Sequence, residues 1–173
     1  LTHIPQLSSE ERNRYQKVAE KYVFRANDYY LSLIDWSDPD DPIRNLIIPK
    51  AEELEEWGRL DASNESQYTK SRGVQHKYRD TVLLLCNEVC GAYCRYCFRK
   101  RLFMDDNQEA SFNIKEGLEY IQENPSITNV LLTGGDPLLL STKRLTQILE
   151  SLRRIPHIQI IRIGTKMPAF NPW

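Results

Sequence analysis

The stretch Thr81-Val-Leu-Leu-Leu-Cys86-Asn-Glu-Val-Cys90-Gly-Ala-Tyr-Cys94-Arg-Tyr-Cys97 joins an apolar run to a loop of cysteines. Thr81 to Cys86 is short and nearly continuous in apolar side chains, which is how a strand covered on both faces reads. Two further runs of this type follow, Asn129 to Thr133 and Ile158 to Gly164. Between them, Asn113 with Glu116 can cap a helix carrying Ile114, Leu118 and Ile121, and Thr142 can start one carrying Leu145, Ile148, Leu149 and Leu152. Pro125 and Pro156 stop these two helices. Alternation of strand and helix from about Tyr78 onward predicts an α/β fold with a parallel sheet and crossover helices.

In such a sheet the loops after the carboxyl ends of the strands gather on one edge, where ligands bind. The cysteine loop follows the first strand, Gly134-Gly135-Asp136-Pro137 the second and Thr165-Lys166 the third, so all three share that edge. Three parallel strands cannot close a barrel. The chain continues only through Pro168-Ala-Phe-Asn-Pro172-Trp173, with no helix expected there, and reads as part of a (β/α) barrel.

Residues 1–75 read as a helical N-terminal region ahead of the incomplete barrel of residues 76–173. Ser8 with Glu11 makes a capping box, and Tyr15, Val18, Ala19, Tyr22 and Val23 fall on one helical face. Two prolines and four aspartates from Asp35 to Pro42 break the helix and offer a fresh start at Asp41-Pro42. Ala51 to Trp57 predicts a further short helix ended by Gly58, and residues 61 to 72 a polar connection.

Composition sets bounds. With 173 residues, 40% of them apolar and 27% charged, the chain can build one globular core. Lys plus Arg number 23 against 24 Asp plus Glu, so no global charge draws it to nucleic acid or to an anionic membrane. No apolar stretch nears the roughly 20 residues of a membrane span. No secretory segment precedes the cysteines, so a disulfide framework fits poorly and a reducing, cytoplasmic compartment is expected.

Cys90, Cys94 and Cys97 form a C-x3-C-x2-C triplet. Structural zinc wants a closed tetrahedral site, and this chain has neither a second C-x-x-C nor an H-x3-5-H. A cubane iron–sulfur cluster normally takes four cysteines, so three would leave one iron open to bind something else. The spacing favours the cluster. Cys86, at the end of the apolar run, reads as a small buried hydrophobe, a ligand or redox thiol being the other reading.

This triplet, with an aromatic residue before the last cysteine, resembles the radical S-adenosylmethionine (SAM) enzymes. The words His76-Lys-Tyr-Arg-Asp-Thr-Val-Leu-Leu-Leu85, Cys94-Arg-Tyr-Cys-Phe-Arg-Lys-Arg101, Leu132-Thr-Gly-Gly-Asp-Pro137 and Ile161-Arg-Ile-Gly-Thr165 resemble the lysine 2,3-aminomutase branch, as does Asp38-Pro-Asp-Asp-Pro-Ile-Arg44. The resemblance implies a 4Fe-4S cluster on Cys90, Cys94 and Cys97 whose open iron binds the amino and carboxylate groups of SAM. One electron then cleaves the sulfonium to methionine and a 5′-deoxyadenosyl radical, which abstracts hydrogen from an amino acid, L-lysine by default. A reducing electron donor and a small amino-acid substrate are the implied partners, with self-association left open.

Residue by residue, the resemblance sets Tyr96 against the adenine, where an ordinary half-buried aromatic is the other reading. Gly134 and Gly135 permit close backbone approach, and Asp136 with the exposed amides of its turn would grip the methionine end; the other reading is a turn that merely exits a strand. Arg99, in the basic run Arg99-Lys100-Arg101, would help hold the phosphate of pyridoxal 5′-phosphate, with Lys77 as a second cation. A solvated basic face is the plainer reading of that run. The family's Schiff-base lysine has no counterpart in this chain, Lys166 reads as a surface cation, and the chain alone is expected to be inactive on free lysine. Arg162, Gly164 and Thr165 fit either the SAM site or strand-end packing. The alternatives are an aminomutase acting on a lysine attached to a translation factor and a non-catalytic iron–sulfur or zinc module.

Overall fold

The computed structural model describes residues 1–104, 109–111 and 113–173. Its centre is a five-stranded sheet in linear order: β1 (Thr69–Ser71), β2 (Val74–Tyr78), β3 (Thr81–Asn87), β4 (Asn129–Gly134) and β5 (Ile160–Ile163). β3, β4 and β5 are parallel, with Val82 opposite Val130 and Val130 opposite Ile161. β1 and β2 extend the sheet antiparallel on the other side of β3.

Those two strands lie where the sequence reading had a polar connection over 61–72 and the end of the helical region. Their sequences, Thr-Lys-Ser and Val-Gln-His-Lys-Tyr, carry few apolar residues because an antiparallel edge can face water on one side. Gly73, at φ +82°, makes the tight turn between them. The third parallel strand begins two residues later than expected, where Ile160 meets Asn129.

Crossover helices α4 (Lys115–Glu123) and α5 (Thr142–Arg153) cover one face of the sheet. Val74, Val82, Leu84, Cys86, Val130 and Leu132 from the strands meet Ile114, Ile121, Ile148 and Leu152 in one buried core. Ser141, one residue before the expected start, caps α5 by accepting from the Arg144 amide at 3.3 Å. On the opposite face of β3, Leu85 packs with Leu102 and Ala110.

The first third holds three helices, α1 (Ser9–Lys21), α2 (Asp28–Ser32) and α3 (Pro42–Ile47). The Ser8–Glu11 capping box forms, and Asp41 caps α3 with Pro42 in its first turn. Val18 and Tyr22 are buried, but Val23 is 41% exposed because α1 has already ended at Lys21. Ala51 to Trp57 forms only a 3₁₀ turn, Ala51–Leu54. Repulsion between Glu52 and Glu56 one turn apart works against a longer helix. The exposed Trp57 offers no packing in return.

This region has its own core of Ile4, Leu7, Tyr30, Ile34, Ile47 and Ile48, which closes over Ala92 of the cysteine loop and Phe170. Phe170 ends a short helix, α6 (Met167–Phe170), where the sequence led us to expect none. Among the described residues no helix is long and apolar enough to cross a membrane.

Candidate metal centre

β3 ends at Asn87, and the next ten residues carry all three motif cysteines. Asn87 organises the edge: its side-chain amide donates to Val89 O at 3.0 Å and to Asp136 O at 2.6 Å. The turn after β4 answers in kind, with Gly135 N donating to Asn87 O at 2.6 Å and Asp136 N to Val89 O at 2.8 Å. Neither glycine can be replaced without collision. A Cβ on Gly134, at φ +102°, would lie 2.7 Å from Asn87 O, and one on Gly135 2.4 Å from Val89 O. The amides of Gly135 and Asp136 are thus spent on the cysteine loop, which corrects the expectation of exposed donors in this turn.

Asp136 is 4% exposed, and its carboxylate is enclosed by donors. Oδ1 accepts from Leu138 N at 3.0 Å and from the Thr165 hydroxyl at 2.6 Å, while Oδ2 accepts from Lys166 N at 2.7 Å. One side chain therefore fastens the loops after β4 and β5 together. Arg162 and Gly164 serve the strand end, through Arg162 Nε to Asn129 Oδ1 and Gly164 N to Leu132 O, both at 3.0 Å.

All four cysteines are free thiols. Burial, then the negative charges of Asp136, Cys97 and Cys94, push the Cys90 thiol up to about 12. Burial and Cys94 also raise Cys97, against the opposing pull of Arg99 and Lys100. In their thiolate forms these cysteines would repel one another, a repulsion that bound cations would relieve. Among the described residues no three His, Cys, Asp or Glu side chains gather as a single metal ion requires. A cluster makes a different demand, because its thiolates bind separate irons at separate corners, and a loop presenting three partly exposed thiols fits it. Cys86 lies apart in the sheet core, fully buried, with its thiol raised to about 11 by burial.

Tyr96 is 62% exposed and borders a groove of about 1010 Å³ that Trp57, Leu60, Cys97, Phe98 and Lys100 also line. Lys166, read from the sequence as a surface cation, is exposed and also meets the cysteine loop. Its ammonium lies 3.4 Å from Cys94 Sγ, donates to the Tyr96 hydroxyl and sits 4.5 Å from the centre of that ring. Burial would lower the Lys166 pKa, but Tyr96 and Cys94 outweigh it and the net shift is upward.

The basic run is not a solvated face. Arg99 is held by both oxygens of Glu65, at 2.6 Å from Nη2 and 3.0 Å from Nε, and donates to Thr133 Oγ1 at 3.3 Å. Arg101 bridges Glu109 and Glu65, and Lys100 donates to Glu53 at 3.0 Å. The structure does not bring Lys77 to this edge. It is exposed on β2 beside Tyr78, which pairs with Thr81 at the start of β3, and its ammonium rests over the rings of Tyr68 and Tyr78. Sequence reading missed Glu53, Glu65 and Arg95, since nothing local marks a carboxylate as the partner of a residue 34 or 42 positions away.

A family model described as a 4Fe-4S single cluster domain matches residues 79–165, which include the three cysteines and the Gly134-Gly135-Asp136 turn. A putative L-lysine 2,3-aminomutase of Aquifex aeolicus is 59% identical over 173 residues, 100% of this chain and 46% of that protein. The L-lysine 2,3-aminomutase of Clostridium subterminale is 38% identical over 98% of this chain and 41% of its own length. The glutamate 2,3-aminomutase of Clostridioides difficile is 38% identical over 99% and 41%. This chain thus spans less than half the length of these relatives. It belongs to the 4Fe-4S single cluster domain family, in the lysine 2,3-aminomutase branch of the radical SAM enzymes.

Proposed function

We propose that this chain is the cluster- and SAM-binding part of an amino-acid 2,3-aminomutase with L-lysine as its substrate. The observation that carries this reading is the set Cys90, Cys94 and Cys97 on a loop hydrogen-bonded to the Gly134-Gly135-Asp136 turn. Lysine rests on the name of the 59% relative, because lysine- and glutamate-named relatives are otherwise equally similar, at 38%.

Cys90, Cys94 and Cys97 would be the residues that hold the cluster. When bound, such a cluster supplies one open iron and one electron, the requirements for reductive cleavage of the SAM sulfonium. The protein's share is positioning. The exposed ring of Tyr96, beside a groove roomy enough for a nucleoside, offers a stacking face for the adenine. Gly134 and Gly135 bring the turn against the loop, which leaves the methionine end bordered by Asp136 and Thr165. Asp136 acts there by holding Thr165 and Lys166, and the Lys166 ammonium offsets thiolate charge at Cys94. An external reductant supplies the electron, and the four free thiols suit a reducing cytoplasm.

Pyridoxal 5′-phosphate does not fit the residues described here. Arg99 is engaged by Glu65 and Lys77 rests over Tyr68 near the other end of the sheet, so the two cations do not converge on one phosphate.

The test is anaerobic reconstitution with iron and sulfide, followed by dithionite and SAM with chromatography of the products. Four irons per chain, with methionine and 5′-deoxyadenosine formed, are the expected result. One tightly held zinc and no cleavage would overturn the reading.

A further inference from the structure

Arg95 lies between the second and third cysteines, yet it is 8% exposed where its neighbour Tyr96 is 62% exposed. Its guanidinium forms a fork on one carboxylate, Nε to Glu53 Oε1 at 2.9 Å and Nη2 to Glu53 Oε2 at 2.8 Å, and Nη1 donates to Val23 O at 3.0 Å. The backbone is held as well, with Arg95 N to Leu46 O at 2.7 Å and Tyr93 N to Arg25 O at 3.0 Å. Every one of these partners lies in the helical region before β1. Glu53 also accepts from Lys100 at 3.0 Å, and that ammonium lies 4.5 Å from the centre of the Tyr22 ring.

Three flexible thiols do not fix their own spacing. Ligand side chains are oriented by the partners around them, and a planar fork fixes direction as well as distance. Two cations, Arg95 next to Cys94 in sequence and Lys100 three residues after Cys97, share one anion, Glu53, so this group carries one net positive charge.

We propose that Arg95 and Glu53 are a positioning pair for the cluster, which presets the Cys94–Cys97 arm and, with Lys100, keeps positive charge next to the thiolates. The helical region is then part of the metal centre rather than a separate cap on the sheet. This rests on the cluster reading above.

The test compares the reconstituted 173-residue chain with Glu53→Gln and Arg95→Lys, each checked for fold by circular dichroism. The rate of iron loss to a ferrous chelator and the paramagnetic resonance spectrum of the reduced cluster are measured. Arg44→Lys is the control, because it perturbs a 3.0 Å ion pair with Glu11 in the same helical region without touching the cysteine loop. Both positioning variants should load iron but lose it about 10–100-fold faster, with altered spectra, while the control releases it at the wild-type rate. If Glu53→Gln fails to fold, Arg95→Lys carries the result alone. Wild-type release from Arg95→Lys would overturn the pairing, as would equal acceleration in Arg44→Lys. A wild-type chain that takes up no cluster would overturn the underlying reading instead.

Discussion

Thr165 donates its hydroxyl to Asp136 at 2.6 Å, and this contact joins the loop after β5 to the turn after β4. With the Lys166 and Leu138 amides on the same carboxylate, Asp136 becomes the hub of the edge where the cysteines emerge.

Asp136→Asn should therefore destabilise the apo protein, since its amide would face N–H donors where the carboxylate accepts. Loss of a hydrogen bond to a charged group costs about 1.5–3 kcal/mol. At about 2–4 °C per kcal/mol for a chain of this size, the melting temperature should fall by about 3–12 °C. A thermal melt checks this, and SAM titration of the reconstituted variant should show weaker binding with the cluster spectrum unchanged.

The two kinds of glycine should behave differently on replacement by alanine. Gly135→Ala drives a methyl into the Val89 backbone at 2.4 Å, where no side chain can move aside, and should cost about 1–3 kcal/mol or more. Gly58, at φ +77° with nothing within 4 Å of its would-be Cβ, pays only the left-handed backbone cost of about 1–2 kcal/mol. Urea midpoints of the two variants would rank them, with Gly135→Ala lower.

Cys90→Ala, Cys94→Ala and Cys97→Ala should each lose the cluster on reconstitution, whereas Cys86→Ala should keep it. Cys86 lies in the core with Val82, Leu84 and Val130, out of reach of the loop. Iron and sulfide analysis with the visible spectrum decides the matter; a folded Cys86→Ala chain without iron would refute the ligand assignment.

Apo stability should depend on acid through Glu53. Burial raises its pKa, but the Arg95 fork, the Lys50 amide and Lys100 outweigh burial, so the folded value lies below the ordinary 4.5. A depressed carboxyl contributes stability above its unfolded value and loses it as pH falls through the folded one. Urea midpoints should accordingly drop as pH falls below about 4.5, and Glu53→Gln should drop less over the same window.

The parallel strands were legible because Thr81–Cys86 and Asn129–Thr133 bury one face fully and the other in part, and burial writes itself into sequence as an apolar run. β1 and β2 were not, because Thr69, Lys70, Gln75 and Lys77 belong to a polar hairpin whose pairing is set by the neighbouring strand. At the site, the cysteines announce themselves by spacing. Arg99, Lys100 and Arg101 announce only charge, and whether that charge meets solvent or Glu53 and Glu65 is decided by tertiary contacts with no local trace. The glycine pair lies where backbones approach closely, and the backbone it approaches is this chain's own, at Asn87 and Val89.

The contact of Lys166 with Cys94 spans 72 residues of sequence. At roughly 5–20 residues per second, a ribosome needs about 4–14 s to make that interval. The turn after β4 is made partway through it, and the loop after β5 that carries Thr165 and Lys166 only at its end. Newly made chains therefore pass through a window of seconds in which the cysteine loop lacks the last contact that frames it.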